Sequence, residues 1–186
     1  MRYEDGPFLE RGTRIGAPPQ HVWELVTDIG LPARLSPELL AATWLDGATG
    51  PVLGARFEGR NSNRFMGEWR TVCHVVALDA PHVFSWAVTD PDGRFGGPAP
   101  DPAAPMALWS FTLDAAPGGG TALRHSARLG PARSGLSTAI DRDPSREEEF
   151  VAYRLHELGD AVEATLRGVK ERAEAACASA TRAGTA

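Results

Sequence analysis

Through the middle of the chain, apolar and polar residues alternate in short segments punctuated by Gly, Pro and Asp. ATWLDG, ARFEGRNS, EWRTVCHVVALD, HVFSWAVTD, MALWSFTLD and TALRHSARLG each read as a strand, because successive side chains on an extended backbone point to opposite faces. An earlier segment, FLERGTRIG at 8–16, has the same character and runs into Ala-Pro-Pro, which makes seven strands. Between the first and second strands the pattern becomes helical. Pro18 and Pro19 suit a first turn, and Val22, Trp23, Leu25 and Val26 form one stripe that stops at Asp28 and Gly30. In LPARLSPELL the two prolines leave room for one or two turns, ending before Pro37.

After the last strand, GPARSGLSTAIDRD reads as irregular. Pro144, Ser145 and the acidic run Glu147, Glu148 and Glu149 then mark the start of a long helix, where negative charge meets the positive end of the helix dipole. Val151, Leu155, Leu158, Val162, Leu166 and Val169 recur at steps of three and four and define a single buried stripe. The small, polar end CASATRAGTA predicts fraying near Ala176. One loop, DPDGRFGGPAPDPAAP at 90–105, is too rich in Pro and Gly for regular structure; a lid over a binding site is its functional reading.

The long helix must bury its stripe against the sheet, since no other long apolar helix face exists. These elements predict an α+β fold: a curved seven-stranded antiparallel sheet wrapped around a C-terminal helix, with two short helices after strand one. Twist makes the sheet concave, and a concave apolar space between sheet and helix is an internal ligand cavity. The expected organisation is a tail at 1–7, one domain at 8–176 and a disordered tail at 177–186.

Composition narrows the picture. At 186 residues and 42% hydrophobic side chains, the chain fits one domain with a sizeable core. A net charge of -5 supplies no basic field for nucleic acid or an anionic membrane. Lys170 is the single lysine beside 18 arginines, a coding bias and not a phosphate-binding signal. No secretory signal pattern and no apolar run of membrane-spanning length is present, so the expectation is a cytoplasmic protein without membrane insertion. Cys73 and Cys177 lack metal-ligand or CxxC spacing and are expected as free thiols.

Alternation assigns the cavity-facing side chains. Trp69, Thr71, Cys73 and Val75 share one side of their strand, opposite Arg70, Val72, His74 and Val76. Phe57, Gly59 and Asn61, then Phe84, Trp86 and Val88, then Trp109, Phe111 and Leu113, then Leu123, His125 and Ala127 continue the inward face. The aromatic wall is either ordinary core or a seat for an aromatic ligand. His125 is the candidate acid-base group because an imidazole exchanges protons near neutral pH; the alternative is a satisfied core histidine. Asn61 either binds a ligand oxygen or ends its strand. Arg64 either holds a carboxylate or enolate at the mouth or is solvated. Cys73, among apolar neighbours, is expected to pack and not to attack. On the helix, Phe150, Tyr153 and Glu157 lie along one side and are candidate cavity contacts.

The element order, with TDIGLPARLSPE, GARFEGRNSN, WRTVCHVVALDAPHVFSWAV and WSFTL followed by GGGTALRHS, resembles the polyketide cyclase/dehydrase branch of the START-like, birch-pollen-allergen-like superfamily over roughly residues 8–175. The resemblance implies the helix-grip fold strongly and an activity weakly. It points to a cofactor-independent cyclase or dehydratase of secondary metabolism acting on a small hydrophobic or aromatic molecule, or to a non-catalytic carrier of such a molecule. His125, Asn61 and Arg64 are the catalytic candidates. Phe57, Trp69, Thr71, Cys73, Phe84, Trp86, Trp109, Phe111, Leu123, Phe150 and Tyr153 are the binding candidates. No phosphate loop, dinucleotide fingerprint, GxSxG or HExxH motif is present, nor an iron-binding His/His/carboxylate set, so no cofactor or metal is expected. The protein is expected to be a monomer or a homodimer.

Overall fold

A computed structural model describes residues 1–183 of the chain. Seven strands, β1 (Phe8–Ile15), β2 (Leu39–Trp44), β3 (Arg56–Asn63), β4 (Gly67–Asp79), β5 (Val83–Thr89), β6 (Ala107–Ala116) and β7 (Gly120–Leu129), form one sheet in the order β1-β7-β6-β5-β4-β3-β2. Every neighbouring pair is antiparallel. The order is a meander from β2 to β7, with β1 added beside β7. Helix α1 (Pro19–Val26) and a 3₁₀ turn (Pro32–Arg34) fill the β1 to β2 connection, as the two proline-bounded segments predict. Strand β2 starts at Leu39, earlier than the alternation indicates, because Leu39 already pairs with Asn61 of β3, across a register shift between Leu39 and Ala41.

The long helix α3 (Glu147–Ala183) buries Val151, Leu158, Val162, Leu166 and Val169, five of the six residues in the stripe that the spacing defines, together with Ala173; Leu155 is only partly buried. It runs past the expected fraying point at Ala176, because alanine is the strongest helix former. Cys177 also packs against the core there. The expected disordered tail at 177–186 is therefore corrected to helix as far as Ala183, and 184–186 lie outside the described residues.

Residues 1–7 are likewise docked and do not form a loose tail. The Tyr3 hydroxyl donates to the Ala132 carbonyl at 2.6 Å, the Tyr3 N–H donates to Glu147 at 2.8 Å, and Pro7 is fully buried. The stretch read as irregular also holds helix α2 (Gly135–Arg142), whose start is capped by Ser134 and Ser137 through reciprocal bonds between side chain and backbone. A serine at the position usually held by Glu or Gln hides this capping box from a sequence reading.

Gly168 lets α3 approach the 3₁₀ turn and its following residue. A Cβ there would lie 2.4 and 2.7 Å from the two methyls of Leu35 and 3.1 Å from its Cγ. Alanine gains about 1 kcal/mol of helix propensity at an ordinary site. Here the whole Leu35 side chain must move, and overpacking costs about 1–3 kcal/mol. Gly168→Ala is expected to lower stability by about 1 kcal/mol net, read as a lower midpoint in urea unfolding.

Candidate functional site

The concave face of the sheet and α3 enclose a cavity of about 1240 Å³. Strand register builds its wall. Phe57 stands opposite Cys73, Cys73 opposite Val88, Phe84 opposite Phe111, Trp86 opposite Trp109, and Phe111 opposite His125. Because these pairs lie on the same side of the pleat, their side chains form one continuous surface. Trp86 is its hub: it stacks on Trp109 with rings 6° from parallel and centroids 6.3 Å apart, and it touches Phe84, Phe57, Phe111 and His125. Phe84 and Phe111 are fully buried, whereas Trp69, Trp86 and Trp109 keep part of their surface open to the cavity they line.

His125 lies flat on Phe111, with centroids 3.9 Å apart, and its Nδ1 is 3.0 Å from the Ser110 carbonyl oxygen. Burial in this aromatic setting drives its pKa down to about 4, with the Ser110 carbonyl pulling weakly the other way. The imidazole is thus neutral near pH 7. Cys73 is buried beside Thr71, and burial pushes its thiol up to about 12, so it stays protonated and packs. Asn61 places its Nδ2 3.3 Å from the Thr71 hydroxyl and 3.4 Å from the Gly59 carbonyl.

Charged groups gather at the mouth. Arg64 donates to the Tyr153 hydroxyl at 2.9 Å, and that hydroxyl donates to Glu157 at 2.8 Å. Arg154 grips Glu38 with two bonds of 2.7 Å and lies 3.6 Å from Glu157. This chain of contacts joins the β3–β4 hairpin, α3 and the approach to β2. Loop 90–105 is irregular, as its composition predicts, but it is strapped down. Arg94 donates to the Glu68 carbonyl at 2.7 Å, and Arg133 donates to the Phe95 carbonyl at 2.8 Å. Arg94 and Phe95 both line the cavity.

The structure brings His125, Asn61, Phe57, Trp69, Thr71, Cys73, Phe84, Trp86, Trp109 and Phe111 to the cavity, with Arg64, Phe150 and Tyr153 toward its rim. Among the described residues, no hydrogen bond or ion pair joins His125, Asn61 and Arg64 to one another. Leu123 is the exception among the binding candidates. It is fully buried and does not line the cavity, because α1 packs on β6 and β7 and closes that end of the concave face. The alternation puts it on the correct face but cannot say where the cavity stops. Sequence reasoning missed Leu136, Ala139 and Arg142 of α2, which line the mouth at helical spacing, and Glu38. Among the described residues, no helix is long and apolar enough to cross a membrane, and no cluster of three or more His, Cys, Asp or Glu side chains is placed to hold a metal ion.

A curved sheet gripping one long helix around an internal cavity defines a helix-grip protein. The chain belongs to the polyketide cyclase/dehydrase and lipid transport family, whose profile matches residues 9–174. Among solved structures it is similar to a polyketide-cyclase-like protein from Corynebacterium glutamicum at 26% identity, with a TM-score of 0.59 over 88% of each chain. It shares its fold with a Streptomyces aromatase/cyclase at 15% identity and a TM-score of 0.61, over 90% of this chain and 93% of that one. The di-domain aromatase/cyclase StfQ of the steffimycin pathway also shares the fold, at 13% identity and a TM-score of 0.65; 92% of this chain covers 51% of that protein. No curated protein sequence matches the chain.

Proposed function

We propose that the protein binds a small aromatic or polyketide-type molecule in the cavity and promotes its aldol closure and dehydration by confinement. The observation that carries this reading is the continuous wall of Phe84, Trp86, Trp109 and Phe111, with Trp69 lining the same space of about 1240 Å³. That volume exceeds the range of roughly 300–1,000 Å³ common for drug-sized ligands, so it has room for a folded chain or several fused rings. Holding reacting carbons within contact distance supplies much of the acceleration without any cofactor. Arg64 is the group that stabilises a developing enolate oxygen, whereas Asn61 spends its N–H donors on Gly59 and Thr71. His125, with its pKa near 4, is a weak base at neutral pH and an inefficient proton shuttle.

The same depressed basicity favours a second reading, a carrier that holds a hydrophobic molecule unchanged, with loop 90–105 as its gate. Native mass spectrometry of the purified protein, followed by incubation with a linear poly-β-keto thioester, separates the two. Conversion to a cyclised product lacking water, slowed about tenfold or more in Arg64→Ala, is the expected result. A molecule retained and returned intact moves the assignment to the carrier. If the protein retains no small molecule and converts none, the cavity reading fails.

A further inference from the structure

Within the aromatic part of the cavity wall His125 is a buried polar group, and its hydrogen-bonding sense is fixed by its partner. A carbonyl oxygen can only accept, so the 3.0 Å contact between His125 Nδ1 and the Ser110 carbonyl requires the ring proton on Nδ1. Burial keeps the ring from taking a second proton near neutrality. Nε2 is therefore a bare lone pair. Among the described residues, no fully buried side-chain nitrogen or oxygen lacks a partner. Nε2 has no partner among the described residues, and His125 lines the cavity, so this atom opens onto that space.

Asn61 is oriented by the same logic. Its Nδ2 faces the Gly59 carbonyl, which leaves Oδ1, a second acceptor, without a partner in the chain among the described residues. The indole N–H groups of Trp86 and Trp109, whose rings lie 6.1 and 5.2 Å from His125, can only donate. They serve a ketone and a hydroxyl alike and do not discriminate between them.

We infer that His125 reads a hydroxyl group on the ligand, so that the cavity selects hydroxylated aromatics or enols over ketones and ethers of the same shape. This rests on the reading of the cavity as an aromatic ligand site. A phenolic or enolic O–H donates to Nε2 while its oxygen accepts from the surroundings. A ketone or an ether oxygen instead meets a lone pair, and both lose their hydration without replacement. The selected form is the one that ring closure and water loss produce, so the cavity holds a phenolic product more tightly than its keto precursor.

Titration calorimetry with β-naphthol, its methyl ether and the corresponding methyl naphthyl ketone tests this directly. Wild type is expected to bind naphthol about tenfold more tightly than the ether or the ketone. His125→Phe preserves the ring stack on Phe111 and is expected to bind all three within about twofold of one another. Should that variant fail to fold, the Nε2 nitrogen resonance of wild-type His125 supplies the second readout, moving on addition of naphthol and not of the ether. Equal affinities in wild type, a preference that survives in His125→Phe, or an Nε2 resonance indifferent to naphthol would overturn the hydroxyl assignment while leaving the cavity assignment standing. Binding of none of the three overturns both.

Discussion

Between pH 6.5 and 4 the wild-type protein is expected to lose roughly 3 kcal/mol of stability that a His125→Phe variant retains. The imidazole titrates at 6.5 in an exposed chain and at about 4 when buried against Phe111, Trp109 and Trp86. Above 6.5 neither state holds the extra proton, so the group adds no pH dependence there. As the pH falls from 6.5 to 4 the unfolded chain takes up the proton and the folded chain does not, which favours unfolding at about 1.4 kcal/mol for each pH unit. Below about 4 both states are protonated and the loss levels off. Urea unfolding of both proteins across this range isolates the contribution, because carboxylates and other histidines titrate alike in the two. Parallel curves would mean that His125 is not buried as a neutral ring. At pH 7 the variant is expected to be the weaker protein by about 1 kcal/mol, the worth of the bond to Ser110, so the two curves should cross on acidification.

Arg154→Ala is expected to destabilise the fold by about 3 kcal/mol. The two side chains of the Arg154 and Glu38 pair are only 23% and 24% exposed, and their two-bond geometry fixes the approach to β2 against α3. Removing the cation strands a carboxylate in a poorly hydrated position, and that stranded charge costs more than the pair itself contributes. Substituting both, Glu38→Leu with Arg154→Met, is therefore expected to recover most of the loss. A chemical-denaturation cycle over the four proteins decides the matter: if the double variant is as weak as Arg154→Ala, the energy lies in the attraction and not in the stranded charge.

Much of this fold is legible because it depends on local periodicity. The turn residues between the six meander strands and the stripe on α3 are properties of neighbouring residues, and the structure follows them closely. Face assignment succeeds for the same reason: Trp86 and Trp109 lie on one side of the pleat wherever the sheet curves. What fails depends on groups distant in sequence. The extent of the cavity is set by where α1 packs, which removes Leu123 from its lining. The Glu38 and Arg154 pair spans 116 positions and leaves no local trace. The basicity of His125 follows from the three rings around it, brought together by β5, β6 and β7, so the residue can be chosen from the sequence but its protonation cannot.

The place of β1 in the sheet also governs how the protein comes into being. Strands β2 to β7 follow one another through short-range pairings, but β1 must wait for β7, with Phe8 opposite Arg128 and Ile15 opposite Thr121. Helix α3, which supplies the opposite wall, comes after every strand. Closure of loops this long is an entropic obstacle met before any compensating contact forms, so assembly is slow for a chain of this size. A chain that stops before α3 lacks one wall of the cavity, so a ligand acts late in folding, shifting the equilibrium toward the closed state.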